Sequence, residues 1–287
     1  MTNTLELHNL IPAMQRRTIA REIRMEGVGL HSGGRITLSV RPGREGIVFV
    51  REGVSIPGTL ENVVDTRLNT TLGSSGATVS TVEHFMSALY GLGITDCEAE
   101  VSGAEMPAFD GSALPFFSLL REAGVRDIPG EAPEICLQRP VLIEEGDSWI
   151  KADPGVFAIS YEIEFPSRAI GLQRYSYDGT DYGGRIAPAR TFGMLRDVET
   201  MRAAGLALGG SLENAVVVDD DRVLNPEGLR FADEFVRHKV LDLLGDLWLL
   251  GAPLIARIRA HRASHRLHVA FAKAVLDAVR PVEREPS

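Results

Sequence analysis

Cysteine is scarce in this 287-residue chain. Only Cys97 and Cys136 are present, too few and too far apart for a disulfide framework or a cysteine zinc cage, so a reducing compartment is the expectation. Basic charge is in deficit as well: 30 Lys and Arg stand against 39 Asp and Glu, a formal net charge of -9. With no concentrated basic stripe, that balance excludes general nucleic-acid binding, which depends on neutralising phosphates. No long apolar run is free of interruption. The most hydrophobic stretch, VLDLLGDLWLLGAPLIARI, contains two Asp, two Gly and a Pro, a mix that a spanning helix does not tolerate well, and no transmembrane segment is expected. The first residues lack the apolar core of a signal peptide. The chain is therefore expected to be a cytoplasmic, soluble globular protein, monomeric, with loose ends at residues 1–15 and 281–287.

Nucleotide-binding loops are missing too. GVGLHSGG, residues 27–34, imitates a dinucleotide fingerprint, but RITLSVRP follows it with Ile36, Leu38 and Val40 alternating with polar residues, so the glycines read as a hairpin between strands. GLALGG, residues 205–210, lacks the Lys-Ser/Thr of a P-loop. What the chain does have is a repeated order of elements. STVEHFMSALYGLG reads as a helix with Ser80 and Glu83 in capping-box spacing and Gly91 or Gly93 at its end. A strand, DCEAEVSG, and a second helix, within PAFDGSALPFFSLLREAG, follow. DIPGEAPEICLQRP reads as a linker, and new strands then lead to a helix at 234–251, a strand LIARIRAHRA and a last helix SHRLHVAFAKAVLDAVR. This predicts an α+β protein of two similar domains, 15–133 and 134–280, with a helix and strand inserted in the second at about 193–222. Leu195, Met201, Leu206 and Leu208 of the insert suit either ordinary packing or an apolar channel.

The helix EFVRHKVLDLLGDLWLLG carries the chemistry. A step of four residues returns to nearly the same face, so His238, Asp242 and Asp246 project together. Val236, Val240, Leu243, Leu247 and Leu250 form an apolar stripe elsewhere, which points the polar line away from the main core. Taken alone, the line reads as a solvated face with a modest His–Asp pair. The adjacent Glu83-His84 on another helix offers a second reading. His84, His238 and Asp242 supply three ligands and leave a fourth position for water, as catalytic Zn²⁺ sites do, with Glu83 free to take a proton. Asp246 is spaced to hold an imidazolium and raise its pKa, and His261, His265 and His268 are available as acids.

RTIAREIRMEGVGLHSGG, STVEHFMSALYGLG, EMPAFDGSALPFFSLL and the run from PARTFG to LLGDL together resemble the UDP-3-O-acyl-N-acetylglucosamine deacetylase family over most of residues 15 to 280. The resemblance implies two β-α-α-β domains with their helices between two outer sheets, and one Zn²⁺ at the domain junction. It implies His84, His238 and Asp242 as the metal ligands, Glu83 as general base, His265 as catalytic histidine with Asp246 as its partner, and Thr191 sharing the oxyanion charge with zinc and His265. It puts Phe192 against the sugar, Lys239 near the phosphates and the acyl chain in the insert. The substrate implied is a UDP-linked acylated amino sugar, deacetylated in lipid A synthesis. The alternative is an altered paralogue that binds the nucleotide sugar or deacetylates another N-acyl sugar. Ser264 and His268 stand where the family usually shows Gly and Asn, and a Ser is expected to crowd a backbone that wants Gly. His31 and Asp110, in family-like motifs, are expected to be structural.

Overall fold

The computed structural model describes residues 13–279. Of the ends expected to be loose, residues 1–12 and 281–287 lie outside the described residues, whereas Ala13 opens a strand, Ala13–Ile19. The protein is α+β, built on two main sheets. In the first, Arg35–Pro42 buries Ile36, Leu38 and Val40 on one face, as the alternation of RITLSVRP dictates. The strand order is 23–28, 35–42, 97–101, 47–51, 54–57. Cys97–Val101 enters the middle, antiparallel to one hairpin and parallel to the other. The second sheet repeats this order with strands 141–145, 148–154, 254–261, 158–164 and 172–177. Leu254–His261 occupies the same central place with the same directions, and the short Ile135–Cys136 pairs with its first residues.

Among the described residues six helices follow in chain order: α1 Glu83–Leu92, α2 Leu114–Ala123, α3 Tyr182–Arg185, α4 Leu195–Ala203, α5 Glu234–Trp248 and α6 His265–Val279. Helix α1 lays Phe85 edge-on to Phe49 of the first sheet, ring centroids 5.9 Å apart. Helices α5 and α6 cover the second sheet, and α1 and α5 pack on each other. The approach is close because Gly245 on α5 has no side chain: a Cβ there would sit 2.0 Å from the Glu83 carbonyl oxygen. None of the helices among the described residues is long and apolar enough to cross a membrane.

Three expectations are corrected. The supposed linker is largely strand: Val125–Pro133 pairs antiparallel with Ala13–Ile19. Pro129, which has no N–H to give, falls where the register shifts between Gln15 and Arg17 and faces no ladder partner. The capping box is not made. Val82 is the N-cap without a side-chain bond, Ser80 Oγ turns to the Ala104 carbonyl, and Thr81 takes a φ of 58°, so the chain enters α1 by a bend that carries Ser80 away from the helix. The polar line of α5 does not leave the core. His238, Asp242 and Asp246 are all buried, because α5 is packed among α1, α6 and the second sheet.

The insert forms its own small sheet. Phe192–Met194 runs parallel to Val216–Asp219, with α4 as the crossover between them. A further small sheet of Val63–Asp65, Thr71–Ser74 and Ala77–Val79 leads into α1.

Candidate active site

Helix α1 starts with Glu83 and His84, and α5 faces it with His238, Asp242 and Asp246 one turn apart. His238 Nε2 lies 3.2 Å from Asp242 Oδ1, and His84 Nε2 lies 3.7 Å from the same oxygen. The two imidazole rings stand nearly perpendicular, centroids 5.0 Å apart. His238 Nδ1 is 3.1 Å from the Ala189 carbonyl, which fixes the proton on Nδ1 and leaves Nε2 a lone pair. Burial, reinforced by His238, drives His84 down to about 3, so its ring is neutral. Asp242 Oδ1 is buried without a hydrogen-bond partner. One atom from each of these three residues lies within 4.8 Å of the others. Two neutral imidazoles and an unpartnered carboxylate oxygen at that separation are a fit for a cation.

Asp242 is held ionised. Burial opposes its charge, but His238, Lys239, His265 and His84 outweigh burial and keep its carboxyl well below the usual range. Lys239 Nζ donates to Asp242 Oδ2 at 2.7 Å and stands 6.0 Å from the Phe192 ring centre. On the other side of Asp242, His265 Nδ1 donates to Asp246 Oδ2 at 2.8 Å, and its Nε2 lies 4.0 Å from Glu83 Oε1. Burial lowers the His265 pKa, yet the charge and hydrogen bond of Asp246, with Glu83 and Asp242 behind them, carry it up to about 9. Asp246 is itself held at about 2 by His265 and His268 in spite of burial. Burial raises the Glu83 carboxyl to about 7. The site thus presents an imidazolium beside a carboxyl poised near neutrality, a pairing suited to moving a proton.

Two neighbours, Thr70 and Ala189, are not legible as site residues in the sequence. Thr70 donates its main-chain N–H to Glu83 Oε2 at 3.0 Å and its hydroxyl to Asp246 Oδ1 at 2.5 Å. His268, in the sequence both a candidate acid and a departure from the family pattern, places Nδ1 2.8 Å from Asp246 Oδ2 and Nε2 3.0 Å from the Tyr161 hydroxyl. Ala189 acts through a carbonyl, for which no side-chain motif exists. Ser264 does not crowd the backbone: it has no positive φ, and its carbonyl accepts the His268 N–H at 2.9 Å as α6 begins.

A cavity of about 500 Å³ opens onto Glu83, His84, His238, Asp242 and His265, with Thr191, Phe192 and Lys239 in its wall. It shares Leu30, His31, Thr191, Phe192, Gly193 and Met201 with a second cavity of about 400 Å³ inside the insert. Leu195 and Met201 line that second space, while Leu206 and Leu208 do not, Leu208 being exposed. His31 borders both cavities, and Asp110 pairs with Arg230 at 2.8 Å.

The cluster lies between the helices of two similarly ordered sheets, an arrangement suited to a hydrolase. The sequence profile of the UDP-3-O-acyl N-acetylglycosamine deacetylases matches residues 16–277. The chain is 47% identical to the UDP-3-O-acyl-N-acetylglucosamine deacetylase of Anaeromyxobacter dehalogenans, over 91% of this chain and 87% of the relative. It is 46% identical to that of Myxococcus xanthus, over 91% and 86%, and 41% identical to that of Campylobacter hominis, over 94% of each. The chain belongs to the UDP-3-O-acyl N-acetylglycosamine deacetylase family.

Proposed function

We propose that the chain hydrolyses the acetamide of UDP-3-O-acyl-N-acetylglucosamine, releasing acetate, in lipid A synthesis in the cytoplasm. The observation that carries this reading is the meeting of His84, His238 and Asp242, one possible ligand atom from each within 4.8 Å of the others and Asp242 Oδ1 without a partner, beside Glu83 and next to an apolar cavity. Those three residues would hold one Zn²⁺, although Fe(II) or Co(II) suits the same donors. When bound, the ion acidifies water and polarises the acetamide carbonyl. Glu83 takes the proton that water loses and returns it to the leaving amine. His265, kept cationic by Asp246, donates toward the carbonyl oxygen as negative charge develops, and the Thr191 hydroxyl in the cavity wall adds a second donor. Phe192 offers its face to the sugar, and Lys239 its charge to the diphosphate. The insert, about residues 193–222 of a second domain spanning 134–280, takes the acyl chain along Leu195 and Met201. The first domain, 15–133, contributes Glu83 and His84 to a site at the junction.

The test is acetate release by the purified protein, with elemental analysis of the same sample. About one equivalent of zinc is expected, with activity abolished by a chelator and restored by zinc. No release, beside a family member active in the same assay, overturns the proposal.

A further inference from the structure

Thr70 lies outside both cavities and touches no space a substrate would fill. It is wholly buried, at the edge of the small sheet that leads into α1. Its main chain is tied to the start of that helix at two points: the N–H reaches Glu83 Oε2 at 3.0 Å, and the carbonyl accepts the Val82 N–H at 3.3 Å. Its hydroxyl crosses to α5 and donates to Asp246 Oδ1 at 2.5 Å. A bond from a hydroxyl to an ionised, buried carboxylate is among the stronger kinds. With Oδ1 so occupied, the N–H groups of His265 and His268 both converge on Oδ2 at 2.8 Å, and the Asp246 carboxylate has no free rotation left.

Resting on the roles given above to Glu83 and His265, we propose that Thr70 is a positioning residue that couples the base to the acid pair. One side chain and one peptide N–H hold the Glu83 carboxylate and the Asp246–His265 pair in fixed relation, although they arrive on separate helices. Loss of such alignment lowers turnover more than substrate binding, on the order of tenfold to a hundredfold for a displacement near 1 Å.

Thr70→Val keeps the shape and the peptide N–H but removes the hydroxyl, and Thr70→Ser restores it. Expected for Thr70→Val is a fall in kcat of roughly tenfold or more with KM within about twofold and zinc content unchanged, and recovery of most of that loss in Thr70→Ser. If Thr70 acts through Asp246, the Thr70→Val/Asp246→Asn double variant is no slower than Asp246→Asn alone. Wild-type turnover in Thr70→Val, or losses that multiply in the double variant, overturn the proposal. Should the wild type release no acetate, the functional reading falls and the coupling is read by NMR. The His265 Nδ1 proton resonance must then move in Thr70→Val and return in Thr70→Ser, and an unmoved resonance overturns the coupling.

Discussion

Asp246 accepts from Thr70, His265 and His268 with no exposure to solvent, and the sign of its effect can be worked out. The folded pKa of Asp246 lies below that of a free carboxyl, so its contribution to stability is complete above about 4 and is lost as pH falls through about 2. His265 runs the other way: its contribution is complete below about 6.5 and is lost as pH rises through about 9. If the imidazolium is the active form, turnover falls on an alkaline limb near 9. Asp246→Asn removes the main group that raises His265 and leaves burial, which lowers it. The alkaline limb of kcat should therefore move to lower pH, with metal retained, and a pH–rate profile beside elemental analysis checks it. If Glu83 is the proton acceptor, Glu83→Gln removes it without changing size. Turnover should drop by about 10² to 10⁴ while the metal stays bound. The four-residue spacing makes His238, Asp242 and Asp246 legible in the sequence, because one helix carries all three. Thr70 and Ala189 are not legible there: Ala189 offers a peptide carbonyl, Thr70 a peptide N–H and a hydroxyl, and neither stands in a spaced pattern.

Helix α5 shows where periodicity misleads. Its apolar stripe is real, but a polar line facing a partner helix reads the same as one facing water. Only the packing of α1 against it, which no local pattern encodes, separates the two. Gly245 is the residue that allows this packing. A Cβ would meet the Glu83 carbonyl oxygen at 2.0 Å and the carbonyl carbon at 2.8 Å, both backbone atoms that cannot step aside alone. Gly245→Ala should cost about 3 kcal/mol as overpacking, lowering Tm by roughly 5 °C. It should also weaken zinc binding, since it pushes the helix of His84 from that of His238 and Asp242. Calorimetry with and without metal reads both effects, and an unchanged Tm would show that the helices separate freely. The missed strand at Val125–Pro133 has a similar origin: Pro129 and Gly130 mark a break in local sequence, and the partner strand lies more than a hundred residues earlier.

For the molecule as a whole, the repeated order of elements is visible in the sequence, whereas the central place of Cys97–Val101 and Leu254–His261 in their sheets depends on pairings between distant strands. The same holds for the insert. Four of its apolar residues suit either packing or a channel in the sequence, and two of them, Leu195 and Met201, line a cavity beside Val198, Ala207, Leu212, Ala215 and Val217. If that space of about 400 Å³ holds the acyl chain, its size sets the longest chain bound in full. Ala215 is a small residue in its wall, and Ala215→Leu would expel about two methylenes of a chain that fills the space. At about 0.8 kcal/mol for each buried methylene, that loses about 1.6 kcal/mol, roughly a fifteenfold rise in KM. The rise belongs to chains that fill the space: a substrate shortened by several carbons leaves the added volume free and should keep close to its wild-type KM. Because the cluster around Glu83 is untouched, kcat should stay within about twofold for both. Steady-state kinetics on two acyl lengths decides the matter, and an equal rise for both, or none for either, would remove the chain from this cavity.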